Sequence, residues 1–185
     1  SLAEREMQML GQSNIFQIRN NDEDLDILLR KKGYSLVDET VIYKCKIGEI
    51  SCLNVPPVTT FNVWPPLSIM ESIWDKGGIN DARLSVMRRC NVRKTAILGR
   101  IENKAAGCAF VSHSEGVSII QSVFVLPQYR RKGLARYIIT EAAKWGVEED
   151  TSYLALMVSK YNKEARNLYD GLGMKRIDSY HYRVK

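Results

Sequence analysis

The spacing of apolar residues in the first fifty positions predicts a strand, a helix and a second strand. Ile15–Arg19 alternates apolar and polar side chains, which is typical of a strand. Leucines then recur at helical spacing between Asp22, a residue type that favours helix starts, and Gly33, which favours a stop. Val37–Lys46 is rich in Val, Ile and Tyr and predicts the second strand. A short polar helix is expected before this unit, over residues 4–12.

The rest of the chain predicts a longer series of elements. Residues 54–66 hold four of the five prolines and separate this series from the first unit. The predicted strands are Thr59–Trp64, Lys94–Glu102, Ala105–Ser112, Gly116–Leu126, Tyr153–Val158, Met174–Ile177 and His181–Val184, and the predicted helices are Ser68–Asp75, Asp81–Cys90, Gly133–Glu149 and Asn162–Leu172. This order mixes a mostly antiparallel sheet with one parallel crossover, which predicts an α/β (α+β) fold with helices flanking the sheet.

The first strand-helix-strand unit is similar to a later part of the chain. When Phe16–Lys44 is placed on Leu156–Val184 without gaps, Gly33 falls on Gly173, with three identities over 29 positions. The matched order of strand, helix, glycine and strand is better evidence than the identities. We therefore interpret residues 1–53 as a partial copy of the second half of a main domain, residues 54–185. The alternative, that any such αβ unit would look alike, stays open.

Composition excludes several classes of protein. The 185 residues are 45% hydrophobic and 26% charged, which is ordinary for a soluble domain. No apolar run approaches the roughly 20 residues that span a bilayer, and no signal peptide is visible, so we expect a cytoplasmic protein without a membrane partner. The cysteines form no CxxC pair and are expected to be buried, reduced thiols; no metal site is predicted. They are Cys45, Cys52, Cys90 and Cys108.

The net charge is +6, and four of the 27 basic residues fall in one short segment. Arg130, Arg131, Lys132 and Arg136 fall close together around Gly133. A nucleic-acid-binding face would spread its charge and interleave more aromatic residues. The cluster therefore favours a small ligand that carries phosphate groups, and no nucleic-acid partner is expected.

The same segment predicts an anion site at the start of a helix. A buried strand runs out through Leu126, Pro127 ends it, and a helix begins near Gly133. A helix start presents unpaired N–H groups and the positive end of a dipole, and the small Gly133 and Ala135 let a diphosphate approach the main chain. The alternative is a basic surface turn that leads into an ordinary helix.

Two motifs carry a resemblance to a known family. Arg130-x-x-Gly133-x-Ala135, after an apolar strand, resembles motif A of the GNAT (Gcn5-related) N-acetyltransferases, whose pattern is Q/R-x-x-G-x-G/A. The segment from Asn162 to Met174 resembles the family's N-x-x-A-x-x-L-Y-x-x-L-G-F, with Met174 in place of Phe. Residues from about 58 to 185 are thus identified as a GNAT domain. The resemblance implies splayed central strands, acetyl-CoA as co-substrate and no metal.

The resemblance also implies roles for individual residues. The bulged strand at Val123–Val125 would offer main-chain groups to the acetyl carbonyl and the pantetheine arm, and the basic turn would hold the pyrophosphate. Asn162, the cap of the last helix, would touch the pantetheine arm. The implied cofactor-binding residues are Val123, Phe124, Val125, Arg130, Arg131, Lys132, Gly133, Leu134, Ala135, Arg136 and Asn162.

The family's chemistry assigns a general acid to Tyr169. An amine attacks the thioester directly, a tetrahedral intermediate forms, and the phenol of Tyr169 would protonate the leaving thiolate. The Val125 N–H would stabilise the oxyanion. The alternative for Tyr169 is packing in the core.

The general base departs from the family's pattern. Many members place Glu or Asp on the central strands, where this chain has Gln121, Ser122 and Met157. Glu at the position of Met157 is usual in ribosomal protein N-acetyltransferases, so its absence disfavours that class. The remaining candidates are water, His113, Glu115 and Asp81.

Three functions stay open for the acceptor side. The ending Tyr180-His-Tyr-Arg183 resembles that of bacterial members that act on small amines or amino acids. These residues either line the acceptor side or serve strand pairing and aromatic packing. A primary amine of a small molecule or amino acid is the leading acceptor. The alternatives are a protein or peptide amine and a non-catalytic acyl-CoA-binding module. Trp64, Trp74 and the segment 65–78 either shape an acceptor pocket or belong to the core. The N-terminal copy either covers a sheet edge or forms a homodimer.

Overall fold

A computed structural model describes all residues from 1 to 185 and contains eight strands and seven α-helices. The strands are β1 Ile15–Arg19, β2 Ser35–Lys46, β3 Thr60–Val63, β4 Lys94–Ile101, β5 Lys104–Ser114, β6 Val117–Val125, β7 Tyr153–Ser159 and β8 Lys175–Val184. The helices are α1 Leu2–Met9, α2 Glu23–Lys31, α3 Ile47–Ser51, α4 Ser68–Lys76, α5 Asp81–Arg89, α6 Leu134–Glu148 and α7 Lys163–Gly171, with a 3₁₀ turn at Pro127–Tyr129.

The chain divides into two compact units. The first unit contains Ser1–Tyr43, Met157–Asn167 and Arg176–Lys185, and the second unit contains Lys44–Leu156 and Leu168–Lys175. Strands β2 and β7 and helix α7 each begin in one unit and end in the other. The boundary proposed at residue 53 stays a prediction.

The second unit is built on a mixed, mostly antiparallel sheet. Its strands follow the order β7-β6-β5-β4-β3, and only β6 and β7 are parallel. Helix α6 makes the crossover between these two parallel strands, as a parallel connection requires. This confirms the α/β (α+β) fold with helices beside the sheet that the sequence predicts.

Successive side chains of β4 point to opposite faces of the sheet, so the second unit has core residues on both faces. Ala96 and Leu98 pack with the apolar side chains of α4 and α5, including the fully buried Trp74. Gly99 points the other way, because a Cβ at that position would lie 3.0 Å from Leu134 of α6 and 2.8 Å from Ile138. Helices therefore cover both faces of the strand.

The first unit has a smaller core. Strand β1 pairs antiparallel with β8, from Ile15 opposite Val184 to Arg19 opposite Tyr180. Ile18, Leu29 and Tyr34 form a buried cluster on this pair. The predicted leucine stripe of α2 contributes only Leu29 to it, since the other two leucines of that helix are exposed.

The two similar segments fold alike. Helices α2 and α7 have the same nine-residue length and the same position in the alignment that places Gly33 on Gly173. Both glycines end their helix in the left-handed region, with φ of 82° and 81°. The local fold of residues 16–44 thus repeats that of residues 156–184.

The structure corrects three details of the prediction. The last two predicted strands are one, β8, because its polar middle is bonded to Asn20: Asn20 Nδ2 donates to Asp178, and Ser179 Oγ donates to Asn20 Oδ1 at 3.1 Å. Asp22 occupies the N-cap position of α2 as predicted, but its side chain makes no capping hydrogen bond, since its carboxylate accepts the backbone N–H of Arg19 at 3.0 Å. Helix α3 was not predicted.

The cysteines fit their expected environment only in part. Cys45 and Cys108 are buried, and burial raises the pKa of the Cys45 thiol to about 11 and that of Cys108 further. Cys90 is half-buried, whereas Cys52 is exposed after the end of α3. All four are free thiols.

A close approach at Gly146 generates a first prediction, because α6 passes within contact distance of α3. A Cβ at this position would lie 2.5 Å from Ser118 Oγ and 2.7 Å from Thr151 Oγ1, and closer still to Ile47. We expect Gly146→Ala to lower the free energy of unfolding by about 1–3 kcal/mol, because a packed interior resists added volume. Urea denaturation measures the effect.

The matched control is Gly48→Ala, where a Cβ meets nothing within 4 Å. In a helix this change is expected to be neutral or stabilising by up to about 1 kcal/mol. Equal midpoints for the two variants would contradict the close packing of α6 on α3.

A charged cluster in the first unit generates a second prediction. The Arg183 guanidinium donates Nε to Asp26 Oδ1 at 2.7 Å and Nη2 to Oδ2 at 2.9 Å, and His181 Nε2 lies 2.7 Å from Oδ1. The hydrogen bonds from Arg183, followed by that from His181, hold the pKa of Asp26 well below its usual value of 3.8, although burial acts against this. Arg183 itself is buried.

We expect Asp26→Asn to lower the free energy of unfolding by about 2 kcal/mol at pH 7, because it leaves a buried guanidinium without its counter-charge. A carboxyl with a lowered folded-state pKa stabilises the fold above its unfolded-state pKa and loses this effect as the pH falls. The difference in the free energy of unfolding between wild type and variant should therefore become smaller below pH 4. Urea unfolding at pH 7 and pH 3 measures this difference, with Asp24→Asn, at an exposed position, as the control. A difference in the free energy of unfolding that is the same at both pH values would contradict the prediction.

Candidate active site

A β-bulge interrupts β6 where the sequence places the cofactor strand. Cys108 of β5 lies opposite Phe124, and Phe110 lies opposite Gln121, so Ser122 and Val123 together face a single residue. Ser122 adopts a left-handed conformation, with φ of 52°. A bulge redirects the backbone groups that follow it and bends the strand. The resemblance to the GNAT family implies a bulge on this strand.

At Val125, one edge of β6 has no strand partner. Ile120 lies opposite Leu156 of the parallel strand β7, and at this register β7, which ends at Ser159, does not reach Val125. Leu126 N donates to Ala106 O of β5 at 2.9 Å. Because backbone groups alternate in direction along a strand, the N–H and C=O of Val125 point away from β5.

The turn after β6 leaves a row of backbone donors unused. The N–H groups of residues 131–136 donate to no acceptor in the chain, and the first bonded one is Tyr137 N, which donates to Gly133 O at 3.2 Å. Arg131 and Gly133 are both left-handed, with φ of 63° and 81°, and the helix begins at Leu134. Consecutive amides of this kind form an anion-binding cradle. The turn therefore fits a diphosphate.

The four cations of the turn are not equivalent. Arg130 Nε donates to the Val125 carbonyl at 3.1 Å, and its guanidinium lies 5.7 Å from the centre of the Phe124 ring. Lys132 Nζ bonds Glu102 Oε1 at 2.7 Å, and this contact lowers the pKa of Glu102. Arg131 and Arg136, both exposed, have no partner in the chain. These two side chains are the ones free to meet a phosphate.

Leu134 and Ala135, also predicted to bind the cofactor, present different groups to the cradle. Leu134 is buried against the sheet, so only its backbone N–H faces the cradle. Ala135 is half-buried and adds no bulk there. The small and apolar residues of the motif thus shape the cradle, and its polar groups are main-chain amides.

Helix α7 carries the other two predicted residues. Asn162 Oδ1 accepts the N–H of Ala165 at 3.1 Å, so Asn162 is the N-cap of the helix as predicted. Tyr169 lies in the last turn, and its side chain is 6% exposed. Burial suits either of the two interpretations made for Tyr169 from the sequence.

Two of the candidate bases lie far from the bulge. His113 pairs with Ser118 near the tip of the β5–β6 hairpin, and Glu115 is in its turn. His113 is five residues from Cys108, which corresponds to roughly 16 Å along a strand. Asp81 is the first residue of α5 and lines a cavity beside α4.

That cavity, of about 360 Å³, is acidic. Glu71, Asp75 and Asp81 line it, with Ser72 and Asn80. Glu71 is bonded to Arg88 at 2.6 Å, whereas Asp75 and Asp81 have no ion pair. Sequence reasoning singled out only Asp81. Glu71 and Asp75 are one helical turn apart ahead of Gly77, and this spacing could have predicted that they form one acidic surface.

The acidic cavity is tied to the bulge through α4 and the loop after it. Trp74 Nε1 donates to the Ser122 carbonyl at 2.8 Å. Gly77 passes so close to β6 that a Cβ there would lie 2.8 Å from the Phe124 ring. Trp74 is therefore a core residue, and the neighbouring Asp75 stands on the helix that contacts the bulged strand. The sequence left both roles of this segment open.

Two general features complete the description. No group of three or more His, Cys, Asp or Glu side chains is arranged to hold a metal ion. None of the helices combines the length and the apolar composition needed to cross a bilayer.

Known proteins are similar in sequence to this chain over part of their length. "Uncharacterized N-acetyltransferase YobR" of Bacillus subtilis is 29% identical over 75 residues, which cover 40% of this chain and 30% of that protein. Thialysine N-epsilon-acetyltransferase of Mus musculus is 37% identical over 58 residues, 31% of this chain and 34% of that protein. The matches thus span about a third of the length of these relatives.

A GCN5-related N-acetyltransferase from Kribbella flavida has the same fold, with a TM-score of 0.74 at 15% identity over 98% of this chain and 72% of that one. Residues 67–174, more than half of the chain, match the sequence model of the "Acetyltransferase (GNAT) family". These findings confirm the resemblance found in the two motifs: the chain belongs to the GNAT family of acetyltransferases.

Proposed function

We propose that this protein transfers the acetyl group of acetyl-CoA to a primary amine of a small molecule or amino acid. The observation that carries the proposal is the run of unused N–H groups at residues 131–136, next to the open edge of β6 at Val125. A phosphate-bearing thioester with an amide-rich arm matches both, since the phosphates need donors and the amides need a strand edge. In this proposal, the protein acts in the cytoplasm.

The cradle would bind the pyrophosphate chiefly through the main chain. Arg131 and Arg136 would add charge-assisted hydrogen bonds, because neither is engaged elsewhere. Lys132 would contribute only a nearby positive charge, since Glu102 holds it. Arg130 would keep the Val125 carbonyl bonded, so that the edge offers an N–H at this residue without a competing acceptor.

Two groups would then act on the thioester. The Val125 N–H points away from β5 and would stabilise the oxyanion that forms when the amine attacks the carbonyl. The Tyr169 phenol would give its proton to the leaving thiolate, which spares the reaction a free thiolate. Direct attack needs no covalent enzyme intermediate and therefore no nucleophilic side chain.

The acidic cavity between α4 and α5 supports an amine as the acceptor. Asp75 and Asp81 carry charge that no basic residue neutralises, and an ammonium group would be drawn to it. Asp81 or an ordered water would remove the proton before attack. One relative is named as a thialysine N-epsilon-acetyltransferase, which agrees with a small amine acceptor.

The cradle generates a third prediction. Arg131→Gln and Arg136→Gln should each raise the Kd of CoA about tenfold, because each removes one charge-assisted contact with phosphate. Isothermal titration calorimetry measures the change, with the exposed Arg89→Gln as a control that leaves the Kd as it is. Pantetheine, which has no phosphate, should bind all four proteins equally. If both cradle variants bind CoA like wild type, the phosphates do not lie here.

The general acid generates a fourth prediction. Tyr169→Phe should reduce kcat about a hundredfold while the Kd of CoA stays constant, because the phenol acts only as the thiolate leaves. Thiol release from acetyl-CoA with a panel of primary amines measures turnover. Tyr153→Phe, on the parallel strand β7, is the matched control with wild-type turnover.

The outcomes of this assay separate the proposed enzyme from a binding module. Full activity in Tyr169→Phe would remove Tyr169 from the mechanism. If the wild type binds CoA tightly but acetylates no amine, the protein is a non-catalytic acyl-CoA-binding module and not an enzyme.

A further inference from the structure

A second cavity, of about 250 Å³, lies entirely within the first unit. Residues of β1, α2, β2 and β8 line it, together with Lys160. None of them belongs to the cradle, to the bulged strand or to the acidic cavity of the second unit. The acetyl-transfer site proposed above therefore does not account for it.

Most charges in this cavity are neutralised within the chain. Lys160 Nζ bonds Glu39 Oε1 at 2.8 Å, and Tyr161 OH donates to the same carboxylate. Asp26 is saturated by Arg183 and His181, as described above. Neither pair has charge left for a ligand.

Two lining residues of opposite sign remain unpaired. Glu23, in the first turn of α2, and Arg176, on β8, make no ion pair and no hydrogen bond. The charge of Arg176 is nevertheless close to Lys160. Glu39 chiefly raises the pKa of Lys160, and Arg176 opposes this rise. A carboxylate at Arg176 would relieve that repulsion.

The ring of His181 also lines the cavity, and its Nε2 lies 2.7 Å from Asp26 Oδ1, so this side chain is engaged within the chain. A ligand ammonium would therefore be drawn to Glu23. Each end of a zwitterion thus has a counterpart in the cavity.

We propose that this cavity binds a free α-amino acid, with its carboxylate on Arg176 and its ammonium group near Glu23. A guanidinium suits a carboxylate because it can donate two parallel hydrogen bonds. A phosphate-rich ligand would bring more negative charge than Arg176 can match, and the unpaired Glu23 would repel it. A simple cation or anion would leave one of the two free charges unmatched. The volume suits a ligand smaller than the drug-sized molecules that occupy roughly 300–1,000 Å³.

Calorimetry on the full chain without CoA tests the proposal. Each of the common amino acids is titrated singly, and at least one should bind with a Kd below about 1 mM. The N-acetyl and carboxamide derivatives of the tightest binder each lack one charge and should bind about tenfold more weakly or not at all. Absence of heat for every amino acid at about 10 mM would overturn the proposal.

Matched variants locate the binding. Arg176→Gln and Glu23→Gln should each weaken it about tenfold, whereas the neighbouring exposed Lys175→Gln and Asp24→Asn should not. Asp75→Asn, in the acidic cavity of the second unit, should also leave it intact. Loss of binding in Asp75→Asn with no effect of Arg176→Gln would assign the amino acid to the acceptor cavity and refute the second site. CoA affinity is measured in parallel, so that failure of this proposal is distinguished from failure of the cradle.

Discussion

The broken pairing of β6 is the constraint on which the candidate site depends. A backbone N–H or C=O removed from water needs a partner, so the end of β6 at Val125, which β7 does not reach, must find other bonds. The chain supplies them for the carbonyls: Arg130 bonds that of Val125, and Trp74 bonds that of Ser122. It supplies no strand partner for the Val125 N–H. The bulge thus leaves a donor, rather than an acceptor, at the place where an oxyanion would need one.

The same arrangement couples the core to the site. A buried indole needs an acceptor for its N–H, and Trp74 finds it in the carbonyl that the bulge exposes. The apolar packing that holds α4 against the sheet therefore also fixes the bulge. The loop after α4 is held by the Phe124 ring, which Gly77 approaches without a side chain. The helix that lines the acidic cavity and the bulge of β6 are consequently held by the same core packing.

How well a feature could be predicted from the sequence depends on how far apart its interacting residues are along the chain. The helix start after Gly133 and the cap at Asn162 depend on neighbours within one turn, so the sequence predicted both positions, whereas phosphate binding at this turn stays a prediction. Residues that are distant in sequence left no local signal: Lys132 is held by Glu102, thirty residues away, so one of the four cations expected to meet phosphate is engaged within the chain. The polar middle of β8 suggested a break for the same reason, because the partner that keeps it extended, Asn20, lies at the other end of the chain.

The similarity between residues 16–44 and 156–184 distinguishes the features that the strand-helix-strand fold requires from the charged side chains that it does not. Where the two segments align, the helix bounds and the left-handed glycines agree, so these features suffice to form a strand-helix-strand unit. The lining of the first unit's cavity does not agree. Glu23 corresponds to Lys163, Arg176 to Leu36 and His181 to Val41. Since each counterpart supports the same local backbone without that charge or ring, the backbone does not demand these side chains, and their presence at one cavity is consistent with the amino-acid site proposed above.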